Sequence, residues 1–162
     1  MTARIQKILT AAGLAVLLVG CSDATRPLTS SGLRSEDPLL TGILQSFQHG
    51  CIETAPTFEE SRVRAGFNAN EPKLERGMEF LGGSTRDRSC EVIVRGYGTT
   101  RPVPTVGDIN RLARAFASNT RLAYTPAIPG ESTRAWVSSG NRNFFVTGFV
   151  TGDGDLQLIV GE

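Results

Sequence analysis

His49, Cys51 and Glu53 stand at alternate positions in His49-Gly50-Cys51-Ile52-Glu53, the one cluster of this chain with varied side-chain chemistry. An imidazole beside a thiol can take its proton and leave an activated nucleophile. A small exported hydrolytic or thiol enzyme using His49 and Cys51 is one reading of that cluster. The other gives Cys51 to a disulfide with Cys90, and leaves His49 as a helix-end residue that complements the helix dipole when protonated. A bridge between these positions removes roughly 4 kcal/mol of unfolded-chain entropy in the loop-closure model. A zinc site wants four ligands, and besides Cys21 the chain offers two cysteines and a single histidine. No metal and no cofactor is therefore expected.

The remaining polar clusters have ordinary explanations. Asp153-Gly154-Asp155 begins like a calcium loop but runs into Leu156, Gln157 and Leu158, where an EF-hand needs a further ligand and a later glutamate. It reads as a hairpin turn. Gly82-Gly83-Ser84-Thr85 lacks the lysine and spacing of a phosphate loop and reads as a turn. Gly96-Tyr97-Gly98 is a glycine-flanked exit from a strand. Arg86, Arg88, Arg95, Arg111 and Arg114 suit solvated faces, with lipid phosphates as the alternative. His49, Tyr97 and Trp136 are the candidate binding residues, with Trp136 placed in a core or half-buried sheet position.

Positioning these residues takes one domain over residues 37–162. Asp37-Pro38 offers an N-cap followed by proline at the first helical position. Leu39, Leu40, Ile43, Leu44 and Phe47 then share one helical face, with Gly50 as the stop. A shorter helix is expected over about 56–65, with Thr57 and Glu60 at capping-box spacing, Phe58 and Val63 inward and Gly66 at its end. Met78 and Phe80 mark a strand before a Gly82-Gly83 turn. Cys90, Val92 and Val94 share a face of the next strand, and Ile93 suggests partial cover on the other.

A third helix is expected from Thr105, with Asp108 completing a capping box and Ile109, Leu112, Ala113 and Phe116 as its buried stripe. Strands follow at about 121–127, 133–138, 142–151 and 155–160. The last two flank Gly152-Asp153-Gly154, a hairpin turn sequence. Phe145 and Phe149 oppose Phe144, Val146 and Val150, which suggests cover on both sides of that strand. The order predicts an α+β fold: an antiparallel sheet of about five to six strands with two to three helices packed on it.

The amino-terminal end gives an address. Arg4 and Lys7 precede Ile8–Gly20, an uncharged run of about 13 residues, within the length of a signal-peptide core. Roughly 20 apolar residues are needed to cross a bilayer, and the polar residues after Cys21 forbid extension. Removing the first twenty of 162 residues leaves 142, and the basic count falls by two, from 17 to 15, against 16 acids. No basic field steers nucleic acid. Export to an oxidising compartment suits a disulfide. Residues 22–36, polar with Pro27 and Gly32, read as a tether.

Leu18-Val19-Gly20-Cys21 resembles the lipobox of bacterial lipoproteins, in which aliphatic and small residues precede an acylated cysteine. The resemblance covers residues 1–21. It implies cleavage before Cys21, a diacylglyceryl group on the Cys21 sulfur and a membrane partner through that lipid. Ser22, in place of an inner-membrane-retaining aspartate, favours the outer membrane. Phe47-x-x-x-Cys51 with Thr54-Ala55-Pro56 and Gly66-Phe67 resembles a pattern in small uncharacterised exported proteins of proteobacteria; it implies a disulfide-bearing α+β domain. The expectation is a non-enzymatic cell-envelope lipoprotein: residues 1–20 signal, 21–36 lipid-anchored tether, 37–162 the domain. It would bind an envelope protein or small ligand through a sheet face or helix groove, or serve as a structural component.

Overall fold

The computed structural model describes residues 37–85 and 88–162. The signal segment, Cys21, the tether to residue 36 and Arg86 lie outside the described residues. The order is α1 (Pro38–Phe47), a π-helical turn (Gln48–Ile52), α2 (Glu60–Ala69), β1 (Glu79–Thr85), β2 (Ser89–Arg95), α3 (Val106–Thr120), β3 (Ala123–Thr125), β4 (Ala135–Ser139), β5 (Arg142–Val150) and β6 (Leu156–Gly161). The six strands form one antiparallel sheet in the order β1-β2-β6-β5-β4-β3. The chain builds one edge first, crosses through α3 to the far edge, and works back to the centre. The α+β expectation holds.

Helix starts follow local chemistry. The Asp37 carboxylate accepts the N–H groups of Leu39 and Leu40 at 2.8 and 3.0 Å, two donors that a helix start leaves without partners. In α3 the Thr105 hydroxyl accepts from Asp108 N while the Asp108 carboxylate accepts from Thr105 N, a reciprocal capping box. Arg121 closes α3 in the left-handed conformation.

The first two helices differ from the sequence expectation, and β3 is shorter than the expected 121–127. Gly50 does not stop the first helix. The chain continues through the π-helical turn, closed by Glu53 N donating to Gln48 O at 2.9 Å. Gly50 is needed there because the Phe67 ring lies where its Cβ would stand. The second helix starts later than expected and runs past Gly66. Thr57 donates its hydroxyl to Thr54 O instead of capping α2, and Glu59 occupies the N-cap without a side-chain bond to the helix-start N–H groups. Gly66 is mid-helix because a Cβ would come 2.5 Å from the His49 carbonyl oxygen. Both glycines serve close approach between α2 and the π-helical turn.

A further correction concerns Gly82-Gly83. The strand runs straight through them, paired Gly82 to Val92 and Gly83 to Glu91.

The core lies on one face of the sheet. Register puts Phe80, Val94, Leu156 and Val150 in one row, and Gly82, Val92, Leu158 and Gly148 in the next. Phe116 of α3 meets Phe144 edge-to-face at 5.3 Å, and Phe67 of α2 meets Phe80 likewise at 5.6 Å. Each fully buried large apolar side chain is worth about 1.5–3 kcal/mol relative to exposure. The disulfide between Cys51 and Cys90, with Cα atoms 5.4 Å apart, ties the π-helical turn to β2. Among the described residues no helix is long and apolar enough to cross a membrane.

Candidate functional site

The catalytic candidates are placed by their partners. Cys51 is fully buried, its sulfur bonded to Cys90. His49 is only partly exposed, and its Nδ1 lies 3.0 Å from Glu53 Oε1. A disulfide sulfur carries no thiolate, so the Cys51 nucleophile of the thiol reading is absent in this oxidised state. The disulfide expectation is met. Among the described residues no three histidine, cysteine or acidic side chains gather as a metal site.

Tyr97, a candidate binding residue, is buried. Its hydroxyl donates to Pro102 O at 2.6 Å. Burial, followed by the charge of Asp37, pushes its pKa up to about 12, while Arg101 pulls the other way. The glycines beside it let the loop meet the β5–β6 hairpin: Gly98 N donates to Gly154 O, and Gly96 N donates to Asp155 Oδ1 at 3.0 Å. The Asp153-Gly154-Asp155 turn thus docks the strand exit.

The described arginines of the candidate set each meet a neighbour. Arg88 reaches Glu162, Arg95 reaches Glu79, Arg111 reaches Asp108, and Arg114 stands over the Tyr124 ring. Arg88 and Arg95 flank the length of β2, so they do not form one cationic patch. Arg142 grips Glu162 with two bonds of 2.9 and 3.0 Å. Hydrogen bonding from Arg142, reinforced by Arg88, holds that carboxyl below the usual glutamate range.

Besides a cleft of about 550 Å³ at Asp37, Leu39, Glu71, Lys73 and Arg101, two surfaces stand open among the described residues. The first is the outer face of the sheet. Phe145 and Trp136 are register neighbours there, with rings 6.0 Å apart, and Phe149 lies farther along β5. Trp136 is 37% and Phe149 42% exposed. Half-buried Leu81, Ile93 and Ile159 continue the apolar character across β1, β2 and β6. The expected cover on the second face of β5 is met only in part among the described residues: Thr147 is buried, donating to Thr133 O, and Arg134 stands over the Phe145 ring, whereas the helices pack on the Phe144 side and Phe149 stays exposed. Trp136 belongs to this open face and not to the core.

The second surface is a groove of about 300 Å³ between α2 and β1. Val63, Phe67 and Phe80 supply apolar walls, while Glu60, Arg64 and Glu71 stand among the polar lining residues. Sequence reading missed this groove because it ended α2 too early and placed a turn where β1 continues. Val63 and Phe67, at i and i+4, were the available signal for a longer α2, not for the groove itself.

Comparison with protein families, curated proteins and solved structures finds no match.

Proposed function

We propose that this chain is a non-enzymatic binding module of the bacterial cell envelope, tethered by an acylated Cys21 and held preferentially at the outer membrane. The observation that carries the binding role is the open apolar face bearing Trp136, Phe145 and Phe149. Trp136 with Phe145 makes an aromatic pair on that face and Phe149 adds a second exposed ring; exposed apolar patches mark interaction surfaces. The Cys51–Cys90 bridge suits an oxidising compartment. The sequence through Cys21 supplies the reason for placing the domain there. Two or more acyl chains give stable anchoring, whereas one binds only marginally.

Cys21→Ala tests the tether. Lost membrane partition and lost lipid labelling are expected; unchanged membrane retention contradicts it. Trp136→Ala with Phe149→Ser tests the face. The doubly substituted chain should keep its melting temperature and lose a stoichiometric partner captured by cross-linking in intact cells. Capture that is unaffected removes this face from the account, and no reproducible capture by the unsubstituted chain favours a structural component.

A further inference from the structure

β1 is an end strand of seven residues, paired with β2 alone among the described residues. Its other edge presents main-chain N–H and C=O groups to any strand that can reach them. Protected edges are commonly short, bulged, or marked by proline or lysine. The opposite edge follows that pattern: β3 has three residues and is followed by Pro126. β1 does not. Its seven pairs with β2 run without a bulge, and it contains neither proline nor lysine. Its one charge, Glu79, lies at the strand end and pairs with Arg95.

The groove borders this edge. Residues from Glu60 to Glu71 line one side and residues from Phe80 to Ser84 the other. On the groove side the Phe67 ring fills the space beside Gly82, while Gly83, on the opposite face of the strand, has open space where a Cβ would stand.

We infer that the free edge of β1 accepts an extended polypeptide segment of a partner protein, which pairs as a further strand and turns alternate apolar side chains into the groove over Phe67 and Phe80. Main-chain bonds would supply binding and the groove selectivity, as in strand addition generally. The groove also specifies charge. Arg64 is paired with Glu60 at 2.6 Å, whereas Glu71 has no ion-pair partner among the described residues. The preferred guest therefore carries lysine or arginine toward Glu71.

This inference rests on the binding-module reading but not on the lipid anchor. The test uses random heptapeptides displayed on phage and selected on the full-length protein. Selected peptides should alternate apolar and polar positions and slow amide hydrogen exchange across Phe80–Thr85. N-methylation of alternate residues should weaken binding roughly tenfold in one phase of the alternation and little in the other. Glu71→Lys should weaken basic peptides by about threefold. Peptides that bind without protecting β1 and are lost with Trp136→Ala overturn this inference but leave the module reading intact. No selectable peptide argues against both. A dimer joined through β1, seen as doubled mass with the same edge protected, overturns the hetero-partner assignment.

Discussion

The Phe67 ring occupies the space beside Gly82: a Cβ there would lie 2.7 Å from the ring. Phe67 is itself fixed from the other side by Gly50 and by the edge-to-face contact with Phe80. Gly82→Ala should cost about 1–3 kcal/mol through overpacking. Gly83→Ala, facing open space, should stay within about 0.5 kcal/mol of the parent. Urea unfolding of the two variants checks this; equal effects would refute the packing of Phe67 described here.

The Cys51–Cys90 bridge should block both thiols in denatured, unreduced protein. Replacing both residues with serine should cost about 2–4 kcal/mol in chemical denaturation. A fast-reacting Cys51 thiol in the unreduced protein would revive the nucleophile reading.

Tyr97 gives a prediction at high pH. Its folded pKa of about 12 lies above the ordinary value of 10.0 because burial favours the neutral phenol. The resulting stability is fully present below pH 10.0 and is lost as pH rises through about 12. Ultraviolet titration should show a tyrosinate step near pH 12 that disappears in Tyr97→Phe. That variant also leaves Pro102 O without its donor, at an expected cost of about 1 kcal/mol.

Glu162 acts at the acid end. Its carboxyl is held low by Arg142 and Arg88, so the linked stability is present above the ordinary glutamate pKa and fades as pH falls through the depressed value. Glu162→Gln should flatten the acid side of the melting-temperature profile and leave the alkaline side unchanged. An unchanged acid slope would mean that the ion pair is not coupled to folding.

Much of the fold was legible because it is written in short-range patterns. Asp37-Pro38, Thr105 with Asp108, and the alternation of Cys90, Val92 and Val94 each carry their own geometry. The errors arose at glycines. Gly50, Gly66 and Gly82 look like punctuation locally, yet each is required by an element distant in space: Phe67 beside Gly50 and Gly82, and the His49 carbonyl beside Gly66. Phe149 was misleading for a related reason. Its apolar character suggested cover, but which sheet face receives helices is decided by tertiary packing. The groove followed from neither pattern, since it exists only where α2 and β1 meet.

Intact-mass and peptide mass spectrometry of the protein isolated from its native membrane fraction tests the proposed envelope role most directly. The account predicts a chain beginning at Cys21, with the mass of a diacylglyceryl group on that residue. A chain retaining Met1 with an unmodified Cys21 would contradict it.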